Sequence, residues 1–130
     1  MSQASVETVR RMYAAFHCGD ASAALDHFDG DVVLDATRRL DGGVARGRDA
    51  LASTIVNWVG AFDDWHEHIE EIEEVGGRVL VVLTQHGRGK GSGIEIQTRY
   101  ATLFEIGDGK IVRMTLYPDV EEARAAANGT

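Results

Sequence analysis

Three side chains in this 130-residue sequence have the type and placement to move a proton or hold an anion: Asp35, His86 and Arg99. Asp35 ends the apolar run Val32-Val33-Leu34, where loss of water would raise a carboxyl pKa toward the range useful for proton transfer. His86 follows the apolar run 79–83 and precedes glycines, which places an imidazole of near-neutral pKa at the edge of any interior space. Arg99 alternates with Gln97, Ala101 and Leu103 on one face of a strand. A guanidinium in such a wall demands an anion, either a carboxylate such as Asp35 or an oxygen of a bound molecule.

Other candidates carry less. His66 and His68 are two apart, share a strand face and could join Glu70 around a metal, but nothing else in the chain completes that set, so they read as surface histidines of an acidic strand. Cys18 is alone, which excludes an internal disulfide and leaves a small filler at a helix end. The stretch Gly87-Arg-Gly-Lys-Gly-Ser-Gly93 exposes backbone N–H groups beside Arg88 and Lys90, yet it matches neither a P-loop nor a dinucleotide fingerprint and reads as a hairpin between strands.

The elements that must position these groups follow from periodicity. Val6, Val9, Tyr13 and Phe16 recur at helical spacing, with Ser5 as the cap and Gly19 as the stop. Asp20 opens a second, shorter helix whose stripe is Ala21, Ala24, Leu25 and Phe28. Residues 31–36 read as a strand, 37–47 as a polar loop, and Leu51, Ile55, Trp58, Val59 and Phe62 as the buried stripe of a third helix over 48–61. Then come four strand-like segments, 64–75, 78–88, 94–106 and 110–117, separated by glycine-rich turns. Asp119, with Glu122 three residues on, caps a terminal helix over 120–127. Helices followed by an antiparallel meander give an α+β layout, expected as one domain over 1–130.

Composition narrows the partners. Thirteen Lys and Arg against 21 Asp and Glu give a net charge of −8, which repels nucleic acid and anionic membranes. No apolar run approaches the roughly 20 residues needed to span a bilayer. The first residues lack a basic, apolar leader, so a cytoplasmic location is expected.

The strings YAAFHCGDASAALDHFDGDVVLDA and FEIGDGKIVRMTLYPDVEEA, with the Gly47-Arg-Asp-Ala-Leu start of the third helix, resemble the SnoaL-like branch of the nuclear transport factor 2-like superfamily. The resemblance implies a cone-shaped, curved antiparallel sheet wrapped round N-terminal helices, a homodimer joined through the sheet, and a small-molecule pocket. It turns the Arg99 face toward that pocket, with Tyr13, Phe16, Trp58, Met114 and Leu116 lining or flooring it, although each also fits a core stripe.

Matched to the ketosteroid isomerases of that superfamily, Asp35 stands where the base would be, the donor tyrosine falls on Met12 rather than Tyr13, and the second donor falls on Ala101, with Tyr100 and Thr102 facing away. The limonene epoxide hydrolase pattern is not met by LTQHGRG and MTLYPD, where Asp119 is the only late carboxylate. Asp35, His86 and Tyr13 supply the residue types of a scytalone-type dehydratase without its spacing. The implied function is a cofactor-free acid–base enzyme (isomerase, dehydratase or cyclase) acting on a hydrophobic carbonyl compound, with Asp35 as base, Arg99 as electrostatic partner and His86 as second acid, and no metal. The alternatives are a non-catalytic binder of small ligands, in which Asp35 and Arg99 neutralise each other, and a protein-interaction module.

Overall fold

The computed structural model describes residues 2–39 and 42–129. Helix α1 (Ser2–His17) starts before Ser5, which therefore lies in the first turn and does not cap it. The helix stops at Gly19, whose φ of 86° is left-handed backbone that glycine adopts without steric cost. The Asp20 side chain accepts a hydrogen bond from the Ala23 N–H and caps α2 (Ala21–Leu25). That helix is shorter than its apolar stripe predicts, because Phe28 already belongs to β1 (Phe28–Asp35), where it pairs with Ile111. The polar segment read as a loop contains a three-residue strand, β2 (Val44–Arg46), paired antiparallel with β1. Three residues offer too few alternations to show a period. Helix α3 (Arg48–Val59) follows, two residues shorter than expected, because Gly60 ends it and Phe62, counted in its stripe, belongs to the next strand.

The second half builds the meander: β3 (Phe62–Val75), β4 (Arg78–Gly89), β5 (Glu95–Gly107) and β6 (Lys110–Tyr117). Gly76 and Gly77 have φ of 58° and 84°, and Asp108 and Gly109 have 53° and 78°. Both pairs meet the demand of a tight two-residue hairpin for positive φ at each central position. The six strands run in the order β2-β1-β6-β5-β4-β3, and β1 lies parallel to β6 within an otherwise antiparallel, curved and unclosed sheet. Helix α4 (Val120–Asn128) begins at Asp119, whose carboxylate accepts from the N–H groups of Glu121 and Glu122.

The sheet is covered on both sides. Val79, Val81, Leu83, Tyr100, Phe104 and Met114 face Val9, Met12, Tyr13 and Leu51 of the helices. On the opposite face, Leu80, Val82, Ala101 and Leu103 pack against Val120, Ala123 and Ala127 of α4. Strands β4 and β5 are thus buried on both faces, and their alternation alone does not tell which face looks inward. No described helix is long and apolar enough to cross a membrane.

Candidate functional site

The inner face carries one carboxylate in an aromatic chamber. Along β3, Trp65, Glu67 and Ile69 alternate inward, and the Glu67 side chain is only 2% exposed. Its Oε1 accepts a hydrogen bond from the Tyr100 hydroxyl at 2.5 Å, reaching across β4 from β5. Its Oε2 lies 2.9 Å from His17 Nε2 at the end of α1. The His17 side chain is 30% exposed, so the imidazole joins a buried acid to solvent. Tyr13, one helical turn before His17, meets Phe104 edge-on at 5.9 Å between ring centroids.

Around these groups stand Phe16, Trp58, Trp65 and Met114, enclosing a narrow space of about 50 Å³. Trp58 packs edge-on to both Trp65 and Tyr100, at 6.2 and 5.4 Å. The two indole N–H groups donate to one acceptor, Gln85 Oε1, at 3.1 and 2.9 Å. Replacing Gln85 with leucine leaves two indole N–H groups without that acceptor; the expected loss is about 2 kcal/mol in denaturant unfolding, with weakened near-ultraviolet circular dichroism from tryptophan.

Burial, reinforced by neighbouring charge, keeps both phenols neutral. The Tyr13 pKa is raised well above its ordinary value by desolvation and then by the Glu67 charge. The buried Thr102 hydroxyl, which has no hydrogen-bond partner among the described residues, acts against that rise. Tyr100 is raised likewise, first by desolvation, then by Tyr13 and Glu67. Both therefore present O–H donors across the ordinary pH range.

The chamber adjoins a wider groove of about 670 Å³, with Trp58 lining both. Leu34, Ala36, Asn57 and Phe62 form its walls. The half-buried Arg39 lies at its rim, with its guanidinium 4.7 Å from the centroid of the Trp58 ring.

Asp35, Arg99 and His86 are not brought together, and none of them faces this chamber. Leu34 and Ala36 point into the groove, so Asp35, between them on the chain, turns to the outer face. There Oδ1 accepts from the Thr37 N–H at 3.0 Å and hydroxyl at 2.6 Å, and Oδ2 from Arg113 at 2.8 Å. These bonds to Thr37, ahead of Arg113, hold its carboxyl below the usual value instead of raising it. That stabilisation is present above the usual carboxyl pKa and is lost as pH falls through the lowered native one. Asp35→Asn is therefore expected to cost about 2 kcal/mol at neutral pH and much less in acid, read from urea midpoints at the two pH values.

Arg99 also lies on the outer face, 48% exposed, with Glu70 at 3.0 Å and Glu71 at 3.7 Å, not Asp35. The pocket face of β5 is instead Tyr100, Thr102 and Phe104, and Ala101 packs outside with α4. Tyr13 lines the chamber, and so does Met12, on which the isomerase donor position falls. His86 stacks on His66 at 4.9 Å and lies near His68 at 5.6 Å on the outer surface, while its chain neighbour Gln85 points inward. Glu70 is taken by Thr84 and Arg99, and no group of three or more metal-ligating side chains is found among the described residues. In the glycine-rich hairpin, Arg88 pairs with Asp64 and Lys90 with Asp63.

Of the lining residues expected, Tyr13, Phe16, Trp58 and Met114 border the chamber, whereas Leu116 is 1% exposed within the core beside it. Glu67, His17, Trp65, Tyr100 and Gln85 escaped the sequence reading. One signal was available: Glu67 shares the alternating face of Trp65 and Ile69, an acid where the strand's inward residues are apolar.

A curved sheet folded over three helices, with a buried acid in an aromatic interior, defines a cone-shaped α+β roll. The chain belongs to the SnoaL-like domain family, whose model matches residues 9–114. Solved structures agree on the fold. TerC, co-crystallised with polyporic acid, is 20% identical over 98% of this chain and 99% of its own, with a TM-score of 0.76. A Xanthomonas campestris pv. campestris protein bearing a polyketide cyclase name is 26% identical over 98% of each chain, with a TM-score of 0.72. A Catenulispora acidiphila protein of ketosteroid isomerase-like fold, solved with trimethylamine, is 20% identical over 95% of this chain and 92% of its own, with a TM-score of 0.73. No curated protein matches the sequence.

Proposed function

We propose that this protein binds a small, flat, largely apolar carbonyl compound in the groove, with one edge in the chamber, and moves a proton on it without a cofactor. The observation that carries this reading is the Glu67 carboxylate, 2% exposed among aromatic rings and coupled to solvent through His17. A carboxylate in such a setting has little reason to be there for stability, because burying it costs several kcal/mol before any partner offsets the loss of water. Glu67 would take a proton from the carbon next to the carbonyl, and the electron pair would move onto the carbonyl oxygen. The neutral Tyr13 hydroxyl is the donor suited to that developing enolate, since Tyr100 already gives its one O–H to Glu67. His17 would return the proton to water.

The neighbours of the same fold solved with polyporic acid and with trimethylamine support a small-molecule role for this protein. The groove also has the volume of ordinary ligand sites, roughly 300–1,000 Å³. A second reading, binding without catalysis, is favoured by one fact: both Glu67 oxygens already hold a protein partner. The test is deuterium exchange at the carbon beside the carbonyl of 2-tetralone in D2O, followed by proton NMR. Saturable exchange above the buffer rate is the expected result. Saturable binding with exchange at the buffer rate would overturn catalysis in favour of a binding protein.

A further inference from the structure

We propose that Arg39 is an anion receptor at the mouth of this site, so that the molecule the protein takes carries an acidic oxygen, a carboxylate or an enolate, on its flat apolar body. The inference rests on the reading of the groove and chamber as one ligand site. Arg39 is half-buried, borders the groove and stacks over Trp58, the ring shared by groove and chamber. Among the described residues it forms no ion pair, whereas Arg38 beside it holds Glu122 and Arg113 holds Asp35. A guanidinium over an indole face keeps its five N–H donors in its own plane, where the ring offers them no acceptor.

Partial burial has removed some of the water from these donors, and no carboxylate among the described residues pairs with them. An anionic oxygen is the group that fills that vacancy best, through charge-assisted and bidentate hydrogen bonds. The surroundings sharpen the choice. In a chain of net charge −8, an anion is repelled from most of the surface, so a guanidinium at the pocket mouth with no ion pair among the described residues marks where one is admitted. Trp58, under the Arg39 guanidinium, packs edge-on to Tyr100 at 5.4 Å between centroids. An anion on Arg39 therefore lies on the side of the pocket that leads through Tyr100 to Glu67.

The probes are 2-naphthoate and 2-naphthamide, which share size and shape and differ in charge, each titrated by quenching of tryptophan fluorescence. The native protein is expected to bind the naphthoate about tenfold more tightly than the amide. Arg39→Gln is expected to remove that preference while leaving amide affinity and the thermal midpoint near native values, and Arg39→Lys to restore part of it. Equal affinities in the native protein, or an unchanged preference in Arg39→Gln, overturn the anion assignment and leave the ligand site standing. Failure of both probes to bind the native protein overturns the ligand site and the anion assignment together.

Discussion

Glu67→Gln is expected to slow deuterium exchange on 2-tetralone by about 10²–10⁴-fold, the contribution of one positioned general base. The substitution is close to isosteric and keeps an oxygen that can accept the Tyr100 hydrogen bond. The chamber should therefore retain its shape and its affinity for the ketone, so the loss falls on the rate of exchange rather than on its half-saturation. His17→Asn should lower the rate less, because it cuts the route to solvent without removing the base. A Glu67→Gln protein that exchanges at the native rate would remove Glu67 from the chemistry. One that no longer binds the ketone would make Glu67 a structural member of the wall.

The largest stability loss is expected from Phe104→Ala, about 3–5 kcal/mol in denaturant unfolding. Phe104 is fully buried on β5, meets the Tyr13 ring edge-on, and lies where α1 closes over the sheet. Removing it opens a cavity that neither β5, hydrogen-bonded on both sides, nor a rigid helix can collapse to fill. Tyr13 would lose its edge-on partner, so the aromatic near-ultraviolet dichroism should weaken along with the midpoint. A loss below about 1 kcal/mol would mean that the helix and sheet re-pack freely there, against the behaviour of close-packed interiors.

Much of the fold was legible because local chemistry signed it. Gly76-Gly77 and Asp108-Gly109 announce tight hairpins, Asp20 and Asp119 announce helix starts, and the apolar stripe from Leu51 to Trp58 announces α3. The misreadings have physical causes. Phe28 suits a helix stripe as well as a strand, and pairing with Ile111 on β6, a contact 83 positions away, decided for the strand. Ser5 has the chemistry of a cap, but the chain before it is itself helical.

The site was less legible than the frame. Both faces of β5 are apolar, since α4 buries Ala101 and Leu103 on one side while the helices bury Tyr100 and Phe104 on the other. Strand alternation separates these two sets without saying which looks inward, and the wrong choice moved Arg99 in and Tyr100 out. Asp35 was misjudged for a related reason: the end of an apolar strand desolvates a carboxylate only if the strand face it occupies is the covered one.

By itself the sequence determined the order of the elements, their turns and caps, the α+β character, the acidic surface and the membership suggested by its motif strings. These depend on residues close together in the chain, where propensity, periodicity and backbone sterics act. Only the tertiary structure decided that Glu67 meets His17 across 50 positions and Tyr100 across 33, that Gln85 ties two tryptophans, and that Arg39 covers Trp58 with no ion pair among the described residues. Those facts arise from the curvature of the sheet and the docking of α1 and α3 on it, which bring together groups that no local rule relates.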